Sequence, residues 1–183
     1  MRESKPKTAT EVLSEVFPEG LNKDFVDPLI VVKHFSLKLV EDDELPDDIV
    51  GEIACGDGGA VIKINPRNNY YKPRKNFTIA HELGHYFMHF DNSRAEFVDN
   101  RKTMNRATSF WDKKESEAND FSANLLMPVS LIVRNGKSII DEYKKYNNVS
   151  FMPQKEFIIQ LSNILKVSRE SLGLRLKALG IIK

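Results

Sequence analysis

The stretch FTIAHELGHYFMHF, residues 77–90, sets His81, His85 and His89 at successive one-turn spacings, with Glu82 directly after the first. On a helix turning 100° per residue, His81, Glu82 and His85 fall within an arc of about 100° on one face. Imidazoles one turn apart can converge on a single ion, because zinc–nitrogen bonds are only ~2.0–2.1 Å long. Glu82 projects to the side of that pair, where it reaches water beside the ion without binding the ion. HExxH is therefore the signature of a zinc site with a proton carrier attached. The opposite face carries Ile79, Leu83, Tyr86, Phe87 and Phe90. That apolar stripe anchors the helix in a core and leaves the histidine face free to coordinate.

Catalytic zinc takes three protein ligands and keeps one position open. His89 stands about 12 Å of helical rise beyond His81, and HYFMHF contains no glycine to turn the chain back. It reads as a residue behind the ligands or near the substrate. The third ligand is expected downstream, in ESEANDFSANLLMP. There Glu117, Phe121, Asn124 and Leu125 share one helix face, and a glutamate in line with a buried stripe is costly unless paired or coordinated. Glu115 stands about 160° around the helix from Glu117, so only one of the two faces the site, and Glu117 continues the stripe. Asp120 and Asn124 neighbour it and are placed to orient the ligands.

These residues need a frame. ATEVLSEVF reads as a short helix stopped by Pro18 and Gly20, and DPLIVVKHF as a second with Asp27 as N-cap and Pro28 in its first turn. SLKLV is strand-like. IVGEIAC and AVIKINP flank GDGG, a glycine-rich turn that signals a hairpin. The histidine helix is expected at about 75–90, and residues 91–114 carry many charges without clear periodicity. KESEANDFSANLLMP reads as a helix ended by Pro128. Residues 129–183 are helical in pattern. The expectation is an α+β fold in a single domain over 1–183: a core at about 25–130 with a small antiparallel sheet, and a helical C-terminal part at about 131–183.

With 183 residues, 41% hydrophobic and 29% charged, the chain has the composition of a folded globular protein. Apolar runs such as LIVV are far too short to span a bilayer, and no apolar segment follows the basic start, so neither membrane nor secretory signal is expected. Cys55 is the only cysteine. A reducing, cytoplasmic setting follows. The net charge is +1, which argues against strong nucleic-acid binding. Residues 131–183 nonetheless hold ten Lys+Arg against four Asp+Glu. Within them LSNILKVSRESLGLRLKAL reads as two helices joined by a short turn, with Ser168 as N-cap, which keeps a DNA-binding reading as an alternative.

FTIAHELGHYFMH followed by ESEANDFSANLLMP resembles the ImmA/IrrE family of zinc metallopeptidases, whose hallmark is AHELGH followed by E-A-N…F-A-x-x-LLMP. The hairpin ending INP and the tail VSRESLGLRLKALGII are similar to that family too, so the likeness covers roughly residues 25–180. Ser122 stands where alanine is common in the family. The resemblance implies a zincin-like core with gluzincin-like ligands: His81, His85 and Glu117 on the metal (Zn2+), and Glu82 as catalytic acid/base. It also implies a protein substrate, a helix-turn-helix repressor of the Xre-like kind, cut to relieve repression in a mobile element or stress response. A catalytically silent binding or toxin–antitoxin-associated module is the other alternative. Tyr70, Tyr71, His89 and Arg106 are all candidates to stabilise the oxyanion of the reaction. The edge of the AVIKI strand is a candidate dock for an extended substrate.

Overall fold

The computed structural model describes residues 6–56, 59–90, 96–100 and 113–183. Helix α1 (Ala9–Val16) begins at a reciprocal cap, in which the Thr8 hydroxyl accepts from the Glu11 backbone N–H and the Glu11 carboxylate accepts from the Thr8 N–H. Helix α2 (Pro28–His34) is capped by Asp27, whose carboxylate accepts from Leu29 N at 3.1 Å. Ser36 then takes a left-handed backbone (φ 54°) and turns the chain into β1 (Lys38–Glu41).

Strands β2 (Ile49–Gly56) and β3 (Gly59–Ile64) pair antiparallel with Gly56 opposite Gly59, as the hairpin signal predicts. A fourth strand, β4 (Glu96–Asn100), lies within the stretch that lacks periodicity, and pairs antiparallel with β2. The sheet order is β1-β3-β2-β4, with β1 parallel to β3. The sheet is thus mixed and not purely antiparallel. Local turn chemistry specifies the hairpin, whereas β1 joins its far strand through a tertiary pairing that no local pattern encodes. β3 has a neighbour on each side, so it offers no free edge to a substrate. The edges among the described strands belong to β1 and β4.

The histidine helix, α3 (Lys72–Met88), packs on β2 and β3 and lies along α4 (Lys113–Leu126). Ile79 and Leu83 are fully buried in the core, beside Ile53, Ile62 and Ile64 of the sheet. The C-terminal part is α5 (Val129–Asn147), α6 (Gln154–Leu165) and α7 (Arg169–Ala178). Helices α5 and α6 end on left-handed Asn148 (φ 53°) and Lys166 (φ 58°). This part is tied to the rest by side chains that satisfy main-chain carbonyls. Arg134 donates to Leu21 O and Lys23 O, each at 2.6 Å, and Arg175 donates to Met127 O and to Asn124 Oδ1. Leu172 and Leu176 of α7 are fully buried. The helix pair that resembles a DNA-reading motif therefore spends an arginine and its apolar face on packing. Among the described residues no helix is long and apolar enough to cross a membrane.

Candidate metal centre

His81 and His85 stand one turn apart on α3 and are fully buried, as is Glu82 between them. The helix face expected to lie free is therefore covered. Their Nε2 atoms face each other at 3.1 Å. Glu115 completes the group: its Oε2 lies 3.2 Å from His81 Nε2 and its Oε1 lies 3.3 Å from His85 Nε2. The three side chains offer ligand atoms within one ion's reach.

Glu115 holds the place expected of Glu117. The buried positions of α4 include Glu115, Ala118, Asn119, Ser122, Leu125 and Leu126, a stripe at helical spacing that begins at Glu115. The stripe read through Glu117 and Asn124 runs around the side of the helix, where Asn124 is exposed. The Glu115 residue is 6% exposed, whereas the Glu117 side chain is 35% exposed and reaches Lys113 as well. Small residues were the overlooked signal. A Cβ on Gly84 would stand 2.9 Å from the Ala118 Cα, so α3 and α4 touch nearly backbone to backbone at this level. Only with glycine opposite alanine does a glutamate one turn earlier on α4 reach the histidines of α3.

A second rank of side chains sets the tautomers. Nδ1 of His81 lies 3.1 Å from Asn119 Oδ1, so that nitrogen carries a proton and donates it, and Nε2 faces Glu115. Behind His85 runs a chain of two contacts: His85 Nδ1 to His89 Nδ1 at 3.0 Å, and His89 Nε2 to Glu117 Oε2 at 3.0 Å. Burial holds the His89 pKa below its ordinary value, so the ring is neutral, and the hydrogen bond from His89 holds the Glu117 carboxyl below the usual carboxylate range. With Glu117 ionised, His89 donates from Nε2 and accepts at Nδ1 from His85 Nδ1, which turns the His85 Nε2 towards His81 and Glu115. Asn119 thus stands where Asp120 and Asn124 were expected. Asp120 is exposed, and Asn124 is engaged with Arg175.

Two imidazole Nε2 atoms at 3.1 Å repel unless a cation or a proton lies between them. Bonds of ~2.0 Å in a tetrahedral site put neighbouring donors ~3.3 Å apart, close to the 3.1 Å between the two Nε2 atoms and the 3.2 and 3.3 Å from each of them to an oxygen of Glu115. The donor set therefore fits a zinc-sized ion. Phe97 of β4 stacks on the His85 ring with centroids 4.5 Å apart, and gives the site an apolar wall. Of the oxyanion candidates, Tyr70 and Tyr71 are exposed just before α3, His89 is held behind His85, and Arg106 lies outside the described residues.

The model of the IrrE N-terminal-like domain, Peptidase M78, matches residues 32–177, most of the chain. The chain belongs to this family. No curated protein matches it. The Peptidase M78 match spans α3 and α4, so the buried His–His–Glu group lies wholly inside the shared domain. A metallopeptidase-type function and a protein substrate follow for this Peptidase M78 member.

Proposed function

We propose that the chain is a zinc-dependent endopeptidase in which His81, His85 and Glu115 hold the metal and Glu82 carries the proton. The observation that supports it most is the convergence of two imidazole Nε2 atoms, 3.1 Å apart, on one buried carboxylate whose oxygens lie 3.2 and 3.3 Å from them. Zinc held there would act as a Lewis acid on a peptide carbonyl and lower the pKa of water towards ~7.

The protein's own residues do the rest. Glu82 takes the proton of the attacking water and returns it to the leaving amine, which is why it adjoins the ligands without being one. Asn119 and His89 keep the proton of each ligand imidazole on Nδ1, so both rings present a lone pair at Nε2. Phe97 shields His85 from solvent on one face.

The substrate we assign is a helix-turn-helix repressor, as the resemblance implies, cut at one site. The test is co-incubation with the repressor encoded beside the gene, with and without chelator. Chelator-sensitive cleavage into two fragments is expected. An intact repressor under zinc-replete conditions overturns the substrate assignment.

A further inference from the structure

Gly51 of β2 lies against the Glu82 carboxylate. A Cβ built at this position would stand 2.6 Å from Glu82 Oε1, 3.4 Å from Glu82 Cδ and 2.9 Å from Thr78 Cγ2. Nothing larger than hydrogen fits between the strand and the carboxylate as it stands.

The strand is held in that position by a buried side-chain amide. Asn69, 4% exposed, donates to Val50 O and Asn65 O, each at 2.8 Å, and accepts from Thr78 Oγ1 at 2.6 Å. One amide thus joins the residue before Gly51 to the α3 residue one turn before Glu82. At this point the β2–β4 register slips between Ile49 and Gly51, an irregularity that bends a strand and re-aims its residues. Asn65 and Asn68 hold the approach to β2 in the same way, donating to Pro46 O and Asp47 O and both to Ile49 O.

We infer that Gly51 is a positioning residue for Glu82: the bare backbone of β2, clamped to α3 through Asn69, is the seat that fixes the carboxylate beside the metal ligands. The inference rests on the reading of Glu82 as proton carrier. Thr78 Cγ2 is fixed by a β-branched side chain whose hydroxyl is bound, so an added methyl moves the carboxylate. Misplacing a reacting group by about 1 Å is worth up to about 100-fold in rate.

The experiment is Gly51→Ala, read in two ways. A crystal structure of the metal-free variant should show the Glu82 carboxylate displaced by about 1 Å or more, with α3 in place. In the zinc-loaded variant, kcat on the neighbouring-gene repressor should fall about 10–100-fold with KM within about twofold and zinc content unchanged. Glu82→Asp withdraws the carboxylate by one methylene, so adding Gly51→Ala to it should cost nothing further. Should Gly51→Ala fail to fold, Gly51→Ala with Thr78→Ser removes the methyl–methyl clash and carries the same readouts. An unmoved carboxylate with wild-type turnover, or losses that simply multiply with Glu82→Asp, overturns the seat. Wild-type cleavage by Glu82→Gln would instead remove the proton-carrier reading, and the displaced carboxylate would still report on the seat.

Discussion

Gly84 and Ala118 meet so closely that a Cβ on the glycine would stand 2.9 Å from the Ala118 Cα and 3.1 Å from its carbonyl oxygen. Both obstacles are main chain, so no side-chain rotation relieves them. Gly84→Ala must push α3 and α4 apart, and the buried group of His81, His85 and Glu115 draws on both helices. The expected result is a loss of about 1–3 kcal/mol in stability together with at least about a tenfold loss of zinc affinity. Thermal unfolding and a chelator competition measure the two effects.

Glu115 and Glu117 are separated by their partners. Glu115→Gln should remove most of the zinc, because the carboxylate faces both imidazole Nε2 atoms. Glu117→Gln should keep one zinc per chain at saturation and lose about 10–100-fold in affinity, since it acts through His89. Elemental analysis with a zinc titration distinguishes them. Equal loss in both variants would remove Glu115 from its assigned place.

Removing the metal should cost stability. Without it, His81 Nε2, His85 Nε2 and the Glu115 carboxylate are left crowded at 3.1–3.3 Å. Zinc at about 100 times its Kd adds about 2.7 kcal/mol, roughly 5–10 °C in Tm for a chain of this size. Chelator should lower Tm by that margin in the wild type and hardly at all in His85→Ala. Calorimetry with and without chelator is the check.

Glu82→Gln preserves shape and removes the carboxylate proposed as the base. Zinc content should be unchanged while cleavage falls by about 10²–10⁴. The variant should hold the repressor in a complex recoverable by pull-down. Near wild-type cleavage would mean that another group takes the proton.

How far each feature was legible follows from the range over which it is encoded. His81, Glu82 and His85 form one helical turn, and covalent spacing alone brings their side chains together on any helix. The caps at Asp27 and Ser168 and the β2–β3 hairpin are equally local: each depends on a side chain or turn within a few residues. For those elements the order of residues is sufficient. The choice of Glu115 over Glu117 depends instead on the rotation of α4 about its own axis. Contact with Gly84 through Ala118 sets that rotation, and no periodicity within α4 ranks two faces that both carry a glutamate. The pairing of β1 with β3, the strand at Glu96–Asn100 and the approach of Gly51 to Glu82 likewise join segments distant in the chain. Sequence alone determined the histidine pair, the glutamate between them and the kind of fold around them. Tertiary packing decided which carboxylate meets the histidines and which backbone lies beside Glu82, because glycines act there through the space they leave, and that space exists only once the elements are packed.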